Sequence, residues 1–288
     1  MLSGGLRTKG LKKQSQENQP LITVVTVVRD GEKTLEETIL SVVNQTYRNV
    51  EYILVDGAST DGTLDVIKKY EDRIDYWISE PDKGIYDAMN KGIDLAAGEW
   101  INFMNSGDGF YKITTIKNIF DKTSYSNYDI IYGDASWIIN NGIYIIKASP
   151  LEVLKKHMIF VHQSSFVRSN LIKIMKFDGT YRICGDYNFF YKCFLNNIKF
   201  IYISAVIAKY EAENGVSTNY KIREYEIARV HDINKKFIWK MKFAFFYSFY
   251  LFKHMLKMIL PQEFVKNIKK RNMDKLIYNK KGNLNKVT

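Results

Sequence analysis

Apolar residues in the first third of the chain come in short blocks that switch between two periodicities. Leu21-Ile-Thr-Val-Val-Thr-Val-Val28 is a nearly unbroken β-branched run. That is the pattern of a strand covered on both faces in a parallel sheet. Leu35, Ile39, Leu40 and Val43 then recur at helical spacing and predict a helix over residues 33–44. Residues 50–55 predict a second strand, 63–70 a second helix and 74–78 a third strand. A third helix is expected over 85–97, stopped by Gly98, and a fourth strand over 100–104. Strand and helix alternate four times in this stretch, which predicts an α/β, Rossmann-like, mostly parallel sheet with right-handed crossovers. Ligands of such sheets bind beyond the carboxyl ends of the strands. Arg29, Asp30, Asp56, Glu80 and Asp108 all follow predicted strand ends, so they gather on one rim.

The second half reads as more mixed. Residues 128–132 and 142–146 look like strands, and Asn141-Gly142 between apolar runs signals a hairpin. Gly185-Asp186-Tyr reads as a loop leading into a helix. Residues 199–203 and 205–210 read as two further strands, and no internal repeat is apparent.

Composition narrows the function. With 46% hydrophobic and 25% charged residues, only 4 prolines and 17 glycines, the chain is globular and has no long linker of disordered composition. Aromatics reach 14%, enough to serve sugar stacking as well as a core. Cys184 and Cys193 fit neither a disulfide scaffold nor a zinc motif, so free thiols in a reducing compartment are expected. Residues 1–19 lack the apolar core of a signal peptide and read as a mobile polar leader, which suggests a cytoplasmic protein. The net charge of +11 is segregated. From Lys235 onward, thirteen lysines and one arginine face two acids, giving +12 and leaving the body at −1. A basic tail over 221–288 points to an anionic partner.

The chemistry gathers at five short motifs. Neither a Gly-x-Gly-x-x-Gly fingerprint nor a P-loop lysine motif is present. Instead there is a Thr26-Val-Val-Arg-Asp30 strand exit, an Asp56-Gly-Ala-Ser-Thr-Asp-Gly-Thr63 loop and an Asp82-Lys-Gly-Ile-Tyr-Asp-Ala-Met-Asn-Lys-Gly92 helix start. An Asn105-Ser-Gly-Asp108 turn and a later Gly185-Asp186-Tyr complete the series. In this order the five resemble a family 2 glycosyltransferase with the GT-A fold, over roughly residues 20–215.

The resemblance implies roles residue by residue. Asp56 corresponds to the acid that accepts from the ring N–H of uracil or a similar base. Asp108 stands where the family's metal-binding acidic motif ends, with Asn105 replacing the first acid and Gly107 a possible second. It implies a divalent cation, Mg²⁺ or Mn²⁺, held by one protein carboxylate and the donor's diphosphate. Asp186 corresponds to the catalytic base. Thr26, Val28, Arg29, Lys83, Gly84, Asn90, Asn105, Ser106 and His162 are the remaining expected donor contacts, although Asn90 and Gly92 also suit packing of their helix on the sheet. Read without the resemblance, Asp56 and Asp108 could be turn residues, and Asp186 could cap the following helix. The implied partners are a nucleoside diphosphate sugar of the UDP type and a glycan or lipid-linked acceptor in polysaccharide assembly.

Residues 237–260 are apolar but broken by lysines, so they do not suit a spanning helix. A basic arc beside an aromatic face suits a helix lying on an anionic bilayer, peripheral on the inner face of the cell membrane. Docking on the catalytic domain is the alternative. A sugar-nucleotide nucleotidyltransferase would carry a richer glycine and basic signature after the first strand. A non-catalytic nucleotide-sugar-binding module is the other rival. No motif supports nucleic-acid binding.

Overall fold

The computed structural model describes residues 1–121, 124–139, 142–211, 219–259 and 284–286. The chain opens with a short strand, β1 (Leu2–Gly4), and a 3-10 turn over Leu6–Lys9. It continues through β2 (Ile22–Val28), α1 (Leu35–Val43), β3 (Val50–Asp56), α2 (Thr63–Lys69), β4 (Tyr76–Ser79), α3 (Ile85–Leu95) and β5 (Trp100–Phe103). Next come β6 (Gly109–Phe110), α4 (Thr115–Phe120), β7 (Ile130–Ile139), β8 (Gly142–Ile146), β9 (Ser165–Arg168), α5 (Ser169–Met175), α6 (Gly185–Leu195) and β10 (Phe200–Glu211). The helices α7 (Tyr220–Val230) and α8 (Phe237–Ile259) and a strand β11 (Leu284–Lys286) follow.

All strands join one sheet. Its main path is β1-β4-β3-β2-β5-β9-β7-β10-β6, with β8 beside β7 and β11 beside β8. From β4 to β5 the strands are parallel. Beyond β5 the sheet is mixed, since β9 runs antiparallel to both β5 and β7 while β10 is parallel to β7. This is the α/β arrangement the sequence predicts, a parallel first half and a mixed second half. Chain order reverses at β2, which has β3 on one side and β5 on the other. The crevice at such a reversal is where open sheets bind ligands.

Two apolar cores sandwich the sheet. β2 feeds both by its period of two, with Val25 and Val27 on one face and Ile22, Val24 and Val28 on the other. Burial of the whole strand explains its unbroken β-branched run. α3 approaches β2 closely at Gly92, where a Cβ would come within 2.3 Å of Val25. α1 turns Leu35, Thr38, Ile39 and Val42 inward, so its buried stripe includes a threonine that the apolar pattern skips.

Three expectations change. The leader is docked: β1 pairs with β4, and Arg7 forms an ion pair with Glu51, a side chain 1% exposed. Glu51 also accepts from Thr23 Oγ1 (2.6 Å) and from the Ala97 N–H (2.8 Å). A buried carboxylate needs such partners, and this one draws the leader onto the domain. The strands expected over 199–203 and 205–210 are one strand, β10, with register irregularities between Tyr202 and Ala208. The hairpin forms between β7 and β8, with Ile139 opposite Gly142, whereas Asn141 lies outside the described residues. Finally, α7, expected at the start of the tail, is tied to the loop before α6 through its buried Glu226.

Candidate active site

The loop leaving β5 makes the turn Asn105–Asp108 beside the crevice. Gly107 has φ 94°, a left-handed conformation that glycine adopts without strain. The turn is held by Thr38 of α1, whose hydroxyl accepts from the Gly107 N–H (3.0 Å) and donates to the Asp108 carbonyl (2.7 Å). Ser106 N–H bonds Val27 O (3.3 Å), and Ser106 Oγ meets Thr34 Oγ1 at 2.9 Å. The exits of β2 and β5 are therefore tied together at the switch point.

Across the crevice, a 3-10 turn over His162–Ser164 enters β9. Asn102, fully buried in β5, fixes this turn by donating to the carbonyls of Gln163 (2.9 Å) and Ser165 (2.8 Å). Two side chains are thereby presented to the Asn105–Asp108 turn. Gln163 Nε2 donates to Asp108 Oδ2 (2.6 Å). His162 bridges Asp186 Oδ2 through Nδ1 (3.1 Å) and the Asn105 amide nitrogen through Nε2 (3.1 Å). With the proton on Nδ1, His162 donates to Asp186 and accepts from Asn105. This leaves Asn105 Oδ1 buried without a hydrogen-bond partner.

Asp186 sits in the first turn of α6, where the helix dipole favours a carboxylate. Its Oδ1 accepts from Tyr86 OH (3.2 Å), which also bonds Ile183 O (2.6 Å). Burial, and then the charge of Asp186, push the Tyr86 hydroxyl well above its ordinary range, so it remains a neutral donor. The Tyr86 ring passes so close to Gly185 that a Cβ there would come within 2.7 Å of it. Glu226 accepts from the N–H groups of Arg182 (2.7 Å), Ile183 (2.9 Å) and Cys184 (2.9 Å), which fixes the approach to Asp186.

Asp56 ends β3, fully buried. It accepts from Ser79 Oγ (2.6 Å), the Ser59 N–H (3.1 Å) and the Ser59 hydroxyl. The loops after β2 and β3 interlock through Thr60 N–H to Asp30 Oδ1 (2.8 Å) and Gly31 N–H to Thr63 Oγ1 (2.9 Å). Arg29, Lys83 and Gly84 are exposed. Gly84 has φ 125°, ψ 173°, a conformation essentially restricted to glycine.

The structure thus brings together Asn105, Asp108, His162 and Asp186, with Ser106 behind the turn. Three expected donor contacts have side chains that are buried or already engaged. Thr26 is fully buried, and its hydroxyl bonds Met104 O (2.7 Å) and Tyr52 OH (2.9 Å). Val28 is core, 6% exposed. Asn90 spends its amide on the Phe177 backbone, donating to its carbonyl (2.8 Å) and accepting from its N–H (2.9 Å). Thr38, Tyr86, Asn102, Gln163 and Glu226 were not singled out as site residues. Gln163 could have been found, because it adjoins His162. Thr38, Tyr86 and Asn102 are polar residues on buried faces and Glu226 is one of several charges on α7, so only their contacts reveal them.

Among the described residues no cluster of three or more His, Cys, Asp or Glu side chains is arranged to hold a metal alone. The donor set fits a hard cation shared with a substrate. Asn105 offers an unpartnered carbonyl oxygen and Asp108 a carboxylate, and phosphates commonly complete such a shell. Burial pushes the Asp108 carboxyl up to about 6, opposed by the Gln163 hydrogen bond and the nearby His162. The raised value still lies below neutral pH, where the ionised form that a cation requires is favoured.

Known proteins share this arrangement of chain. The family model described as glycosyl transferase family 2 matches residues 23–192. A PGL/p-HBAD biosynthesis glycosyltransferase of Mycobacterium bovis is 29% identical over 212 residues, covering 72% of this chain and 82% of the relative. An uncharacterized glycosyltransferase of Methanocaldococcus jannaschii is 28% identical over 263 residues, or 82% and 89% of the two chains. Among solved structures, S. aureus TarS 1–349 in complex with UDP-GlcNAc superposes with a TM-score of 0.59 at 19% identity, over 74% of this chain and 66% of that one. The mannosyltransferase PcManGT from Pyrobaculum calidifontis, in complex with GDP-Man and Mn²⁺, gives 0.58 at 16%, over 76% and 65%. The chain thus spans just under two thirds of these two neighbours, whose likeness is one of fold. A match covering more than half of the sequence, on a sheet whose rim carries this site, makes the chain a member of glycosyl transferase family 2 with the GT-A fold.

Proposed function

We propose that the protein is a metal-dependent, inverting glycosyltransferase moving a sugar from a nucleoside diphosphate of the UDP type to a hydroxyl of a lipid-linked glycan in polysaccharide assembly. The observation that carries this reading is the hydrogen-bonded line Asp186–His162–Asn105 ending beside Asp108. It links a carboxylate base to a set of hard oxygen donors. Solved neighbours in complex with UDP-GlcNAc and GDP-Man support a nucleotide-sugar donor.

Asp186 removes the proton from the acceptor hydroxyl as its oxygen attacks the anomeric carbon from the face opposite the diphosphate. Its orientation is kept by His162 Nδ1–H on one oxygen and by Tyr86 OH on the other. Asp56 accepts from the ring N–H of the base, with Ser59 and Ser79 fixing its carboxylate. Arg29 and Lys83 are exposed cations within reach of the donor's phosphates. Asn105 Oδ1 and Asp108 would hold Mg²⁺ or Mn²⁺, which when bound neutralises charge gathering on the departing diphosphate.

The lipid-linked acceptor is supported by α8. Phe237, Ile238, Met241, Phe245 and Phe249 are each at least half exposed, with Lys240 and Lys242 also exposed. A contiguous apolar face of this kind marks an interaction surface, and lysines beside it suit anionic lipid. No described helix is long and apolar enough to cross a membrane. We therefore take α8 to lie on the bilayer, peripheral on its inner face.

Titration with UDP in the presence of Mn²⁺ tests the site. Wild type should bind UDP with a metal dependence that Asp108→Ala loses, while turnover releases nucleoside diphosphate and not pyrophosphate. An unchanged metal response in Asp108→Ala would remove this residue from the site, and released pyrophosphate would indicate a nucleotidyltransferase.

A further inference from the structure

A groove of about 520 Å³ runs between α7, α8 and the loop over residues 180–182. One side of it is cationic. Arg182 is exposed, and its guanidinium has no carboxylate partner among the described residues. Lys221 likewise has none, and its ammonium lies over the Tyr247 ring, 5.0 Å from the centroid. The other side is aromatic. Trp239, Phe243 and Tyr247 recur every fourth residue of α8 with rings nearly parallel, centroids 4.8 and 6.0 Å apart. Tyr225 of α7 meets Trp239 edge-on at 6.1 Å. Glu226 also lines the groove, but its carboxylate is already engaged by the three N–H groups of residues 182–184.

This combination selects a ligand class. Inorganic phosphate would leave the aromatic wall in water. A neutral lipid would cover Arg182 and Lys221 without giving them a counter-charge, which is costly. An amphipathic phosphate ester satisfies both sides, since cations take its oxygens through charge-assisted hydrogen bonds and rings take its chain. The aromatic wall is the inner face of α8, whose outer face is the bilayer surface argued above. Arg182 in the groove's lining stands four residues before the base Asp186 in the chain.

We propose that this groove binds the phosphate and the first apolar units of a lipid phosphate, the carrier end of the acceptor. The proposal rests on the glycosyltransferase reading of the site and adds a binding site to it.

Intrinsic fluorescence of the full-length protein, titrated with farnesyl phosphate, farnesol or inorganic phosphate, tests the groove. Farnesyl phosphate should bind at least about tenfold more tightly than either fragment. The double variant Arg182→Gln, Lys221→Gln changes two exposed side chains, so the fold is retained. It should bring farnesyl phosphate down to the affinity of farnesol. Phe243→Ala with Tyr247→Ala should weaken farnesyl phosphate and farnesol together. Equal wild-type affinity for farnesyl phosphate and farnesol would overturn the proposal, as would equal affinity for inorganic phosphate. So would a double variant that binds like wild type. Flotation on phosphatidylglycerol vesicles should be unchanged in the double variant; lost flotation would assign the two cations to the bilayer and overturn the groove. UDP binding with Mn²⁺, measured on the same samples, separates the two readings. Its absence in wild type defeats the glycosyltransferase, whereas its retention without farnesyl phosphate selectivity defeats only the groove.

Discussion

On the proposed reading Asp186 and Asp108 do different chemistry in one crevice, and single substitutions should separate them. Asp186→Asn keeps the size and most hydrogen bonds of the side chain but removes the base. Transfer should fall by about 10²–10⁴-fold with UDP affinity unchanged, and a parallel loss of donor binding would count against the assignment. Thr38→Val is the complementary case. It removes the hydroxyl that serves the Gly107 N–H and the Asp108 carbonyl. Losing two part-buried hydrogen bonds costs about 0.5–1.5 kcal/mol each, so a lower melting temperature and weaker Mn²⁺-dependent UDP binding are expected together. Burial also pushes the thiols of Cys184 and Cys193 up to about 12. A raised thiol pKa leaves the reactive thiolate scarce until pH approaches that value. Iodoacetamide at pH 8 should therefore spare both in the folded protein and modify both after denaturation. Asp108, in a small-residue turn, and Asp186, at a glycine-led helix start, were legible because such positions leave a carboxylate at an element's edge. The side chains of Thr26 and Val28 lie in the cores, because the last residues of a strand buried on both faces point inward. Thr38 stayed hidden because a hydroxyl inside an apolar helix stripe looks like a gap in the pattern.

At the level of elements, the parallel half could be read almost strand for strand, since each βα unit buries its own apolar face locally. The mixed half could not. β9 inserts between β5 and β7, and β6 pairs with β10 about 100 residues later, so their partners lie far outside any sequence window. α7 shows what this conceals. It reads as the start of a basic tail, yet Glu226 sets the backbone of residues 182–184 just before Asp186. Glu226→Ala leaves three N–H groups without an acceptor in a buried setting. The variant should lose about 2–3 kcal/mol of stability, and kcat should drop with UDP affinity retained, because the base moves while the donor loops do not. Glu226→Gln keeps one carbonyl acceptor and should recover part of both. If kcat stayed at the wild-type level in a destabilised Glu226→Ala protein, α7 would be a support for the fold alone.

Taken whole, the molecule has two terminal segments with opposite electrostatic logic. At one end two cations are drawn inward by buried carboxylates, Arg7 by Glu51 and Lys13 by Asp75. At the other, Lys240 and Lys242 of α8 are exposed beside a solvent-accessible apolar face. The first arrangement makes the leader part of the domain, and Arg7→Ala should cost about 3–5 kcal/mol by leaving a buried carboxylate without its counter-ion, readable as a lowered urea midpoint. On the proposed reading the second serves location on the membrane. Its inner face, Trp239, Phe243 and Tyr247, lies against α7 and the groove, so substitutions confined to Phe245 and Phe249 on the outer face should leave the catalytic domain intact. Phe245→Glu with Phe249→Glu removes apolar area worth about 2–3 kcal/mol per ring if fully buried in lipid and sets two negative charges against an anionic surface. The variant should stay in the soluble fraction during flotation with phosphatidylglycerol vesicles, with UDP binding and donor hydrolysis at wild-type levels and transfer to a membrane-embedded acceptor sharply reduced. Undiminished flotation would show that the bilayer is met by some other surface, because no charged pair can be buried in the acyl region at the centre of a docked face without loss of affinity.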